Sequence, residues 1–167
     1  MNADVQALRK EGAEYIIAYS HSGTEYSHVP AARQERYGAM LVQAGVDYIV
    51  GSHPHVLQPY EPLRYRDTVT PYIYSMGNFT SSMLGSATKE TLILSLTLER
   101  DESGEVVLAE QTYYPCYMLD EYEKEPFVLI PEDKDCNGNL YENAPKALVN
   151  QLKGYFKHIR KIVGKLD

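Results

Sequence analysis

Apolar residues fall along this chain in blocks whose period switches between helical and extended. Val5 and Leu8 lie three apart behind Asn2 and Asp4, which predicts a short capped helix ended by Gly12. Residues 15–19 (Tyr-Ile-Ile-Ala-Tyr) form a short apolar run of strand-favouring residues and predict a buried strand, stopped at Ser20-His21-Ser22-Gly23. Pro30 opens a second helix running to about Ala44, with Tyr37, Met40, Leu41 and Ala44 as its apolar face. Gly45 sits where a left-handed C-terminal cap belongs. Tyr48-Ile49-Val50 predicts the next buried strand, ending at Gly51. A strand–helix–strand unit implies parallel pairing, and in open sheets of that kind ligands bind beyond the carboxyl ends of the strands.

Residues 59–65 and 71–76 predict two further strands, with Arg66-Asp67-Thr68 near the turn and Gly77-Asn78-Phe79 closing the second. Residues 91–100 and 105–113 predict a hairpin across Asp101-Glu102-Ser103-Gly104. The fold class is therefore α/β, a mixed β-sheet with flanking helices. Residues 119–143 read as acidic and irregular, with 127–131 extended. Leu148, Leu152, Tyr155, Ile159 and Val163 then recur at helical spacing, so a final helix is predicted over about 145–165. Lys153, Lys157, Arg160 and Lys161 form its solvated face. The expected organisation is residues 1–118 as one unit, with residues 119–167 packed on it.

The 167 residues suit one domain, and an apolar content of 44% suffices for a core. A net charge of −7 argues against nucleic acid or anionic lipid as a general electrostatic partner. Cys116 and Cys136 match no thiol metal or redox motif, and their pairing stays open. No stretch approaches a membrane span and no signal peptide opens the sequence. Met1-Asn2-Ala3 leads straight into an amphipathic segment, an abrupt start expected of a piece of something longer.

The candidate chemistry lies in His53-Pro54-His55 and, upstream, in His21-Ser22-Gly23-Thr24-Glu25-Tyr26. Residues two apart in an extended chain project to the same side, and Pro54 biases His53 toward extended geometry. Two imidazoles aimed at one point suit a metal ion; the alternative is a solvated His-x-His at a strand end. Both clusters fall at the carboxyl ends of predicted neighbouring strands, which predicts one shared site. Asp133-x-Asp135-x-Asn137-Gly138 matches the front of a calcium loop, but Ala144 stands where the closing Glu belongs, and an acidic Asn-Gly turn is the better account. His28 reads as a loop residue and His158 as structural or solvated.

The clusters, in this order, resemble the CapA family of bacterial capsule and poly-γ-glutamate biosynthesis proteins. The resemblance rests on His21-x-Gly23-x-Glu25-Tyr26, Pro30 and Gln34, Ala44-Gly45-Val46-Asp47, the run from Gly51 to Gln58, and Tyr74-Ser75-Met76-Gly77-Asn78-Phe79. Ser22 stands where that family usually has tryptophan, and Ser52 where it often has histidine. The resemblance implies half of a metallophosphoesterase-like αββα sandwich, the C-terminal part of the catalytic domain. It implies His21, His53 and His55 as ligands of a divalent metal of the Mn, Zn or Fe type. Glu25 would orient a histidine or act as acid or base, and Asn78 would bind substrate or brace the histidine loop. The aspartate- and asparagine-bearing first half of such a centre is not found ahead of His21. Weak or absent metal binding and little hydrolysis are therefore expected of this chain alone. The implied partners are that missing N-terminal half, a polyanionic polymer or a membrane synthase, and a second copy through an exposed edge or face. The implied location is the extracytoplasmic face of the cell envelope. The alternative is a non-catalytic envelope component that binds polymer or a synthase.

Overall fold

The structure, a computed structural model, describes residues 2–122, 125–133 and 144–166. The chain opens with α1 (Asn2–Lys10), β1 (Ile17–His21), α2 (Ala32–Ala44) and β2 (Tyr48–Ser52). β1 and β2 pair in parallel, from Ile17 opposite Tyr48 to His21 opposite Ser52. Gly45 ends α2 at φ 93°, the left-handed cap that its lack of a Cβ permits. β3 (Leu57–Tyr60), β4 (Leu63–Tyr65), β5 (Thr68–Thr70) and β6 (Tyr72–Met76) follow. β6 runs parallel to β2 and antiparallel to β3, so the main sheet is mixed, in the order β1-β2-β6-β3. The two strands predicted across residues 59–76 are thus four. Pro62 and Pro71, which have no N–H to give a ladder, break them, and β4 and β5 form a separate hairpin turning at Arg66.

β7 (Glu90–Arg100), β8 (Val106–Tyr122) and β9 (Glu125–Pro131) form a second, antiparallel sheet. The predicted hairpin turn is present, with the Asp101 carboxylate accepting from the Ser103 and Glu105 N–H groups. The irregular acidic segment expected from residue 119 is corrected at its start. β8 continues to Tyr122, and β9 pairs back on it with Leu119 opposite Val128. Its acidic residues Asp120 and Glu121 face solvent while Tyr117 and Met118 are buried, so charge there marks the exposed end of a strand and not a loop. Cys136 and the calcium-like positions Asp135, Asn137 and Gly138 lie outside the described residues. Cys116 is a buried free thiol whose pKa burial pushes up to about 11.

Two apolar clusters cover opposite faces of the main sheet. Ile49, Tyr72 and Tyr74 meet Val5 of α1 and Val42 and Ala44 of α2 on one side. Tyr48, Val50, Leu57 and Ile73 meet β7–β9 and α3 (Lys146–Val163) on the other. Two expected faces are corrected here. α2 exposes Tyr37 and Met40 and turns Gln34, Gly38 and Val42 inward. The reason lies at Gly38, where a Cβ would come within 2.8 Å of both Leu63 and Tyr72, so the helix approaches on its smallest residue. β1 is half-exposed, not buried: Ile17 is 48% and Tyr19 66% accessible. Their register partners Tyr48 and Val50 lie beneath the second cluster, but that cluster stops short of this edge strand.

On α3, Leu152, Ile159 and Val163 are buried as the spacing predicts, joined by Phe156; Tyr155 stacks on Tyr117 with ring centroids 3.9 Å apart. His158 is not merely solvated. Its Nδ1 donates to both carboxylate oxygens of Glu90, at 2.9 and 2.8 Å, and Glu90 is only 3% exposed. Burial raises the Glu90 pKa above its usual 4.5, opposed by the His158 hydrogen bond. The native state therefore holds that proton more tightly than the unfolded chain does. Stability contributed by this group is full below about pH 4.5 and falls as pH rises through the folded pKa. Urea unfolding at stepped pH should show the wild type losing stability relative to Glu90→Gln as pH rises through that window. A flat difference would contradict this.

Candidate metal centre

The centre is built where β1 and β2 end side by side. The Ser22 N–H donates to Ser52 O at 3.1 Å, continuing the parallel register one step past the strands. The chain must then reverse between Ser52 and Leu57, because β3 runs opposite to β2. Only four residues make that reversal, so His53 takes φ 101° and His55 φ 63°. The extended His-Pro-His geometry expected from the sequence is corrected accordingly, and a tight turn brings the imidazoles together instead. Of the five non-glycine residues at positive φ among the described residues, three (Tyr26, His53 and His55) lie in these two loops. Such conformations cost on the order of 1–3 kcal/mol each and cluster at functional sites.

The rings are held from behind. His21 Nδ1 hydrogen-bonds Ser52 Oγ at 3.1 Å, and its Nε2 meets His53 Nδ1 at 3.2 Å. His55 Nδ1 donates to Asn78 Oδ1 at 2.9 Å, leaving its Nε2 lone pair free. The Asn78 amide in turn donates to Thr88 O at 3.3 Å. Ring centroids lie 4.8 Å apart for His21 and His53 and 6.1 Å apart for His53 and His55, with Tyr26 5.9 Å from His55. Glu25 is exposed and hydrogen-bonds none of the three imidazoles. His28 is a loop residue whose Nδ1 donates to Leu57 O at 2.7 Å.

Two nitrogens each about 2.0–2.1 Å from a tetrahedral zinc lie about 3.3–3.4 Å apart. His21 Nε2 and His53 Nδ1, at 3.2 Å, stand at nearly that separation. Imidazole bracing of the kind Ser52 and Asn78 give is what fixes tautomer and ring direction in metal-binding histidines. The His21–His53 pair alone therefore has the spacing of two nitrogen ligands of a zinc-type ion, and imidazoles suit magnesium poorly. Among the described residues, no group of three or more His, Cys, Asp or Glu side chains is arranged to hold a metal ion, His21, His53 and His55 included. Sequence reasoning gave no role to Ser52, Tyr26, Gln34 or Gln58. The signal for the glutamines was their place in the family pattern, Gln34 after Pro30 and Gln58 at the end of the run from Gly51.

Residues 1–83, which carry all five candidate site residues, match the family model described as bacterial capsule synthesis protein PGA_cap. Over those residues the chain belongs to that family. It is 36% identical over 95 residues to the PGA biosynthesis protein CapA of Bacillus subtilis (strain 168), an alignment covering 57% of this chain and 24% of that relative. It is 34% identical over 100 residues to the capsule biosynthesis protein CapA of Bacillus anthracis, covering 60% and 23%. The chain spans about a quarter of the length of these curated CapA relatives. The matched segment takes in α1 through β6, while β7–β9 and α3 lie beyond it. Membership of a capsule synthesis family points to the cell envelope; among the described residues no helix is long and apolar enough to cross a membrane.

Proposed function

We propose that this chain supplies the imidazole side of a divalent-metal centre in a CapA-type hydrolase of capsule or poly-γ-glutamate metabolism. The observation that carries the reading is the 3.2 Å approach of His21 Nε2 to His53 Nδ1, each ring arriving from its own strand tip. His21, His53 and His55 would hold the metal, with Ser52 and Asn78 setting the direction of two of the rings. A bound ion would supply polarisation of a phosphoester or amide and a bound water of lowered pKa. Glu25, exposed and in the loop that follows His21, would hold or move a proton once substrate or a further segment covers it. The carboxylate ligands come from an N-terminal segment that docks on the open edge of β1, where Ile17 and Tyr19 offer uncovered apolar surface.

Among the described residues no carboxylate is hydrogen-bonded to His21, His53 or His55, which fits a second reading, a non-catalytic envelope component that binds polymer or a synthase. One assay separates the two: hydrolysis of a phosphodiester and of poly-γ-glutamate with added Mn²⁺ or Zn²⁺, comparing this chain with a form extended N-terminally in its own genome. The metal-centre reading expects turnover by the extended form and little or none by this chain. No turnover of either substrate by a folded extended form favours the binding role. Clear turnover by this chain alone would contradict the incomplete centre.

A further inference from the structure

We propose that Gln34 and Gln58 form a buried amide relay that sets the approach of the His21 loop to the His53-Pro54-His55 turn, and are positioning residues for the imidazole centre. This rests on the metal-centre reading for its purpose, though not for its geometry. Both side chains are fully buried, at 0% exposure, one on α2 and one on β3. Gln34 Nε2 donates to Gln58 Oε1 at 2.7 Å and to Tyr74 O at 3.3 Å, while Gln34 Oε1 accepts from the Ala31 N–H at 2.9 Å. Gln58 Nε2 donates to Ser27 O at 2.9 Å and Val29 O at 3.2 Å. All four amide protons are thereby used.

The relay holds a loop that has no ladder of its own. Residues 22–31 contain no helix or strand, yet their backbone is tied down at Ser27, Val29 and Ala31 by these two amides. The same loop meets the histidine turn directly. The Tyr26 N–H donates to Pro54 O at 2.7 Å, and Gly23, at φ 137°, is wedged so that a Cβ would lie 2.7 Å from Gln34 Oε1 and 2.9 Å from Pro54 Cγ. Gln34, Gly23 and Pro54 thus form one stack from α2 to the residue between His53 and His55. Two buried amides offer little stability beyond apolar residues of similar size. What they add is a unique arrangement of the groups they bond, as fully satisfied buried networks do.

The test reads ring contacts in the metal-free chain by NMR. The wild type should show a nuclear Overhauser contact between the His21 and His53 rings and slowly exchanging Gln34 and Gln58 side-chain amides. Gln58→Leu and Gln58→Glu, which remove both donors to the loop, should lose the ring contact and shift the resonances of His21 and His53. Val163→Ala, a core truncation in the last turn of α3, should lower the melting temperature and leave contact and resonances in place. A folded Gln58 variant that keeps the ring contact would overturn the proposal. So would rapid exchange of the wild-type glutamine amides, a result that needs no variant to fold. Failure of the extended form to bind metal would instead sink the metal reading and leave the relay intact.

Discussion

Gly51→Ala should remove a large part of the fold's stability. A methyl at this position would lie 2.0 Å from Tyr74 O and 2.6 Å from Tyr74 C, both backbone atoms of the neighbouring strand β6. Backbone cannot turn aside as a flexible side chain can, so the β2–β6 pairing at the centre of the sheet must open. The expected cost is about 3 kcal/mol or more, the upper end for overpacking. Domains of this kind have only about 5–15 kcal/mol to lose. Urea unfolding followed by circular dichroism measures it, with a midpoint shifted far down or no cooperative transition. A midpoint equal to the wild type's would mean that β2 and β6 do not pack this closely. Gly51 also helps set where the histidines sit: its close approach to Tyr74 O fixes β2 against β6 one residue before the strand's last residue, Ser52, and two before His53.

What was legible in the sequence was whatever depends on local period. The strand–helix–strand start, the Gly45 cap, the 101–104 hairpin and the terminal helix were read from spacing alone, and each is present. Faces set by a partner were not legible. Tyr37 and Met40 look like core on α2, but packing against Tyr72 selects Gly38 instead. Residues 15–19 look as buried as 48–50, yet β1 is an edge strand and β2 is not, which only the sheet order decides. At the site, the grouping of His21, His53 and His55 at two strand tips was readable, while the cause assigned to it was not. Extended geometry was inferred from Pro54, whereas the return of the chain into β3 forces a turn with two left-handed histidines. The ring-holding roles of Ser52 and of Asn78 toward His55 depend on contacts 31 and 23 residues away in sequence.

The second large effect concerns the metal. In the N-terminally extended form, His53→Ala should remove stoichiometric divalent metal, because His53 faces His21 directly and no other described donor replaces its Nδ1. Asn78→Ala should retain metal at an affinity weakened about 10–100-fold, the usual loss when a ring's hydrogen-bond partner is removed. Near-equal effects of the two changes would mean that His53 is not a ligand.

The most direct measurement is the metal content of the extended form by elemental analysis, after dialysis against zinc or manganese and then buffer, beside His21→Ala and His53→Ala. Bound metal in the folded parent, and its loss in both variants, is the predicted result. A folded parent that holds no metal, or variants that keep it, would contradict the claim that imidazoles from two adjacent strand tips form one side of a metal centre.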